Sequence, residues 1–76
     1  MKISPDITYE EFLALVEKYK KAVAAWRYGQ AYFNILTSAK PELAELIRGT
    51  IHDPFHKDSV SEQTHQYVKS KWTHDG

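Results

Sequence analysis

The sequence predicts an all-α domain: one long N-terminal helix with two shorter helices packed back along it. Three observations carry this. Apolar residues recur at steps of three and four from Phe12 to Phe33 and again from Val60 to Trp72. A Ser or Thr followed three residues later by Glu, the capping-box pattern, appears at Thr8–Glu11 and at Ser59–Glu62. Pro41 and Gly49 fall where a helix is expected to begin and to stop, and Pro54 falls where the next connection turns.

The elements follow in order. Residues 1–7 form a lead-in, with Pro5 and Asp6 suited to a turn, and Thr8 opens the first helix. Ile7 and Phe12 flank Thr8 at the spacing of a hydrophobic staple. Phe12, Val16, Tyr19, Val23, Trp26 and Phe33 then lie along one helical face, and Gln30 takes the place of the next apolar residue. Glu10 and Glu11 sit at the positive end, Lys18, Lys20, Lys21 and Arg27 further on, and Glu17 with Lys21 makes a favourable i, i+4 pair. The spacing predicts one helix from Tyr9 to Thr37, with Gly29 as its weak point, or two helices broken near Gly29 and no earlier.

Pro41 suits the first position of a second helix, with Glu42 in its first turn and Leu43, Leu46 and Ile47 on its apolar face. Gly49, directly after Arg48, reads as a left-handed stop. Thr50 to Asp58 reads as a connection, turned by Asp53-Pro54, with Phe55 plugging into the core. Val60, Thr64, Tyr67, Val68 and Trp72 give the third helix its face, Lys69 and Lys71 lie near its negative end, and residues 73–76 should fray. At about 1.5 Å per residue the first helix would be roughly 45 Å long and the others roughly 12 and 20 Å. The short helices cannot fully cover it, so the loop carrying Phe55, a partner or a second copy is expected on the rest. A homodimer through the long helix, with Gln30 fixing its register, is one expectation.

The composition sets limits. Seventy-six residues make one domain, 1–76, with a thin core, since a chain this small buries only about 60% of its unfolded surface. Five Tyr, two Trp and three Phe supply dense aromatic packing in compensation. Without cysteine there is no disulfide framework and no thiolate metal site, which fits a reducing cytosol. Lys plus Arg and Asp plus Glu both total 10, so no long-range field gathers polyanions, although a local basic patch remains compatible with the total. The opening residues lack a signal-peptide core, and no apolar run approaches the roughly 20 residues that span a bilayer. A soluble, cytoplasmic protein is expected.

The run Arg27-Tyr28-Gly29-Gln30-Ala31-Tyr32-Phe33-Asn34, with Ile47-Arg48-Gly49-Thr50 and Asp53-Pro54-Phe55, resembles short uncharacterised proteins encoded by tailed bacteriophages and prophages. The resemblance covers the middle third of the chain. It implies an accessory role of the kind exerted by binding a host or phage protein, and it carries no residue roles.

Four groupings offer chemistry. His52-Asp53-Pro54-Phe55-His56-Lys57-Asp58 has the right ligand types for zinc, with His52 and His56 as the candidate pair, but a proline turn does not space them as helical neighbours. The plainer reading is a polar loop in which Asp53 caps a turn. Arg27, Gln30 and Asn34 share one sector of the first helix, as a recognition strip or as groups that hydrogen-bond the Thr50–Asp58 connection, with Arg27 paired to a carboxylate such as Asp53. Arg48 either binds a partner or simply complements a helix C-terminus. Trp26, Tyr28, Tyr32 and Phe33 put aromatics on more than one face, one for the core and the other either for a partner or buried between packed helices. No phosphate loop or nucleophile elbow is present, and no enzyme activity or cofactor is expected. The expected function is a small non-catalytic protein-binding module acting through Trp26, Arg27, Tyr28, Gln30 and Arg48. A nucleic-acid-binding domain, with Lys57, Lys69 and Lys71 near phosphate, is the alternative. A metal-dependent activity at His52 and His56 comes third.

Overall fold

Thr8 opens the first helix by reciprocal capping. Its hydroxyl accepts from the Glu11 amide at 3.0 Å, and the Glu11 carboxylate accepts from the Thr8 amide at 2.8 Å. A computed structural model describes residues 6–72, in which four helices follow: α1 (Tyr9–Ala22), α2 (Tyr28–Ala39), α3 (Pro41–Ile47) and α4 (Glu62–Ser70). No strand occurs among the described residues. Of the expected lead-in at 1–7, residues 1–5 lie outside them, as does the expected tail at 73–76.

The single long helix is corrected to two. Helix α1 ends at Ala22, residues 23–27 form an elbow, and α2 restarts at Tyr28, so the break precedes Gly29. The chain reverses there. Tyr9 and Tyr32, far apart on any straight helix, join hydroxyl to hydroxyl at 2.9 Å, and the Phe12 and Tyr32 rings meet edge to face at 5.0 Å. Local propensity favours helix through Ala22-Val23-Ala24-Ala25, but burial decides otherwise. Folding α2 onto α1 removes Phe12, Val16, Tyr32, Ile35 and Leu36 from water completely, each burial contributing about 1.5–3 kcal/mol against a propensity term below 1 kcal/mol per residue. The stripe expected to pair two copies is therefore not a continuous outer face. Phe12, Val16 and Phe33 belong to the chain's own core.

Proline sets the next joint. Lys40, preceding Pro41, leaves helical geometry at φ −141° and ψ 75°, so α2 stops at Ala39 and α3 starts at once with Pro41 in its first turn. Gly49 stops α3 in the left-handed conformation, φ 73°. The cap of α4 is Ser61 rather than Ser59: its hydroxyl accepts from the Thr64 amide at 3.2 Å, and Glu62 becomes the first helical residue. Helix α4 lays Thr64 and Val68 into the core. Beyond it Trp72 packs on Tyr9 and Phe12, donates its indole N–H to the Ile7 carbonyl at 2.9 Å, and carries the buried Lys40 ammonium 5.4 Å above its ring. Both ends of the described chain are joined by that contact.

Candidate protein-binding surface

The connection from residue 48 to residue 61 is held by its own side chains. Asp53 accepts from the Gly49 amide at 2.7 Å with one carboxylate oxygen and from the Phe55 amide at 3.0 Å with the other. The Thr50 hydroxyl donates to the Ile47 carbonyl at 2.7 Å and accepts from the His52 amide at 3.1 Å. Phe55 plugs against Phe33, ring centroids 5.9 Å apart, in line with the sequence. At the tip of this braced loop stands Ile51, 84% exposed, and Leu46 on α3 is 52% exposed. These two are the exposed large hydrophobic residues of the described chain.

The loop's far side caps α2. No side chain caps that helix, since its N-cap is Arg27. Instead the Gly29 amide donates to the Lys57 carbonyl at 3.0 Å. The approach is so close that a Cβ on Gly29 would run into the Pro54 carbonyl oxygen and stand 2.6 Å from that of Lys57. Glycine is required there by contact, not by its torsion angles.

The five residues expected to meet a partner are divided between the ends of this loop. Arg27 pairs with Asp58 at 3.0 Å, not with Asp53, whose oxygens are taken by the loop. Arg48 pairs with Glu45 at 3.0 Å and lies 5.4 Å above the Phe33 ring. Both arginine side chains are more than half exposed, so these pairs add little stability. Trp26 and Tyr28 are half-buried against the core, and burial with the neighbouring Glu17 carboxylate raises the Tyr28 hydroxyl above its ordinary value. Gln30 and Asn34 are half-exposed, and among the described residues neither side chain hydrogen-bonds the loop.

His52 and His56 do not converge as ligands. His52 stacks flat on Tyr67 at 4.6 Å, with Nδ1 3.4 Å from the Thr64 hydroxyl, while His56 is exposed beside Phe55. No group of three His, Cys, Asp or Glu placed to hold a metal occurs among the described residues. Helices α3 and α4 are separated by residues 48–61, whereas a DNA-binding helix-turn-helix, the form the nucleic-acid-binding alternative would take, joins its helices by a turn of three or four residues. Lys69 pairs with Glu10 at 3.7 Å, and Lys71 lies 5.3 Å above the Tyr67 ring.

A polar chain invisible in the sequence links three helices. Tyr32, fully buried, shares its proton with Tyr9, whose hydroxyl also meets His65 Nδ1 at 2.7 Å. Burial, offset in part by the Tyr32 hydrogen bond, pushes the Tyr9 hydroxyl up to about 12. Burial and the bond to Tyr9 raise Tyr32 as well. A shallow groove of about 640 Å³ lies above, lined by Tyr9, Leu13, His65 and Gln66 among others. Its charged members are already engaged, Glu62 with Gln66 and Lys69 with Glu10. The Tyr–Tyr–His spacing of 9, 32 and 65 has no local sequence signature.

No helix among the described residues is long and apolar enough to cross a membrane. No family model, no curated protein and no solved structure matches the chain.

Proposed function

We propose that this chain is a small, non-catalytic protein-binding module of the cytoplasm, a phage-type accessory protein that modulates a larger host or phage protein. One observation carries the binding reading: Ile51, 84% exposed, is held at the tip of a loop already fixed by hydrogen bonds at Thr50 and Asp53. An exposed isoleucine on a mobile tip would lose entropy on binding, whereas a braced one has lost it on folding. Leu46 and Arg48 stand beside it in sequence, an aliphatic and cationic set suited to a partner's apolar pocket. Trp26, Arg27, Tyr28 and Gln30 serve as a second contact region at the elbow. The phage-type role is supported by the likeness of residues 27–34, 47–50 and 53–55 alone.

The test is affinity capture from a bacterial lysate, with and without nuclease, using the wild type and Ile51→Asp. The reading expects one stoichiometric protein that survives nuclease and is lost with Ile51→Asp, whose circular dichroism should match the wild type. Capture that disappears on nuclease treatment would instead establish nucleic-acid binding.

A further inference from the structure

The neutral total conceals a sorted distribution. Residues 6–17 hold four carboxylates, Asp6, Glu10, Glu11 and Glu17, and no cation. Residues 18–30 hold four cations, Lys18, Lys20, Lys21 and Arg27, and no carboxylate. The dipole of α1 accounts for Lys20 and Lys21 in its last turn. It does not account for what folding adds. Docking of Gly29 on the Lys57 carbonyl brings Lys57 to the same end of the molecule. The ion pairs of the described residues are Arg27–Asp58, Arg48–Glu45 and Lys69–Glu10, and none of them takes up Lys18, Lys20, Lys21 or Lys57. Next to the lysines of α1 in sequence, Ala22, Ala24 and Ala25 are exposed, and Val23 and Trp26 are half-buried. Exposed apolar residues with charged neighbours are what protein interfaces use.

We propose that the elbow docks an acidic, amphipathic protein segment, with apolar side chains on Ala24, Ala25 and Trp26 and carboxylates among Lys18, Lys20, Lys21 and Lys57. This rests on the protein-binding reading and adds the chemistry of the partner. Charge complementarity selects the sign of that partner. Two details favour protein over nucleic acid. Glu17 and Asp58 stand within the same basic end, Glu17 near enough to raise the Tyr28 hydroxyl and Asp58 paired with Arg27. A phosphate backbone carries charge at every step and meets them, whereas a protein segment spaces its carboxylates to miss them. Trp26 is half-buried against the core, which leaves it less ring surface than the base stacking of single strands uses.

The experiment is fluorescence anisotropy of the intact chain with three labelled probes: a short helical peptide of leucine and glutamate, the same peptide with glutamine for glutamate, and a single-stranded oligonucleotide of equal charge. The glutamate peptide should bind, more weakly as salt rises, and the paired change Lys18→Glu with Lys21→Glu should weaken it at least about tenfold. Lys71→Glu, a single Lys→Glu change at the C-cap of α4, should leave binding unaltered. Ala24→Glu should also abolish it, which keeps the test decisive if the paired variant fails to fold. The proposal is overturned if the glutamate peptide does not bind, if the glutamine peptide binds equally, if the oligonucleotide binds more tightly, or if the elbow variants change nothing. Nuclease-resistant capture through Ile51 alongside any of these results would remove the elbow site and leave the protein-binding reading standing.

Discussion

Residues 23–27 and residues 48–61 both carry the chain from one helix to the next, yet they are built on different plans. The loop is fixed from within, by Asp53 on the Gly49 and Phe55 amides and by Thr50 on the Ile47 carbonyl. It is also fixed from outside, by the Gly29 amide on Lys57. The elbow has one backbone hydrogen bond inside it, Trp26 to the Val23 carbonyl at 3.0 Å, and is shaped by what its two helices bury on either side. One joint is determined by its own residues and the other by its neighbours. The loop displays a preset apolar tip at Ile51, while the elbow displays small apolar residues next to lysines that join none of the ion pairs of the described residues, and gains little rigidity of its own.

Gly29→Ala should break the arrangement most severely, because the new methyl group meets loop backbone rather than a side chain able to swing aside. Overpacking at about 1–3 kcal/mol plus the loss of the Lys57 hydrogen bond puts the cost at roughly 3 kcal/mol or more, measurable by urea unfolding. Tyr9→Phe comes next. It leaves the fully buried Tyr32 hydroxyl without its partner, a cost of about 1–3 kcal/mol, whereas Tyr32→Phe should cost less because Tyr9 keeps His65. The same pair predicts alkaline weakening. Both hydroxyls ionise at higher pH in the folded chain than in the unfolded one. Their stabilisation is therefore whole below the ordinary tyrosine value of 10.0 and is lost as pH rises from there through about 12, and Tyr9→Phe should flatten the decline.

Asp53→Ala should cost about 1–2 kcal/mol, the lower part of the range for two amides that lose a partner but reach water. The smallest expected effect discriminates best between the two joints. Ala24→Gly in the interior of a continuous helix would cost about 1 kcal/mol. In the elbow it should stay within about 0.5 kcal/mol, as exposed surface changes do. A full helical penalty at Ala24 would mean that α1 runs through.

Where an element is governed by its own residues, the sequence is a good guide. Thr8 with Glu11, Pro41 at the start of α3 and Gly49 at its end act as their types predict. Phe55 plugging into the core is legible because a lone aromatic beside a proline turn has few other uses. The elbow is not legible, because Ala22 to Ala25 favour helix and Arg27 is no capping residue. The cap of α2 arrives from Lys57, thirty residues along the chain from Arg27, and only the close approach at Gly29 betrays it. Ser59 and Ser61 both precede a helix-forming run, and the hydroxyl that meets Thr64 is decided by the preceding loop. The candidate surface was legible in part. Arg27 and Arg48 do reach the exterior, at the two ends of one loop. Ile51, one apolar residue among polar ones, has no periodicity to mark it.

Hydrogen exchange followed residue by residue by NMR tests the contrast between the two joints most directly. The Gly29 amide, bonded to Lys57 and buried under the loop, should be protected as strongly as the amides of Tyr32 and Ile35 in the middle of α2. The Ala24 and Ala25 amides, in the exposed elbow, should exchange at nearly unprotected rates. Strong, uninterrupted protection from Tyr19 through Ala31 would contradict the account and restore a single long helix, and a Gly29 amide exchanging as fast as Ala24 would show that the loop does not cap α2.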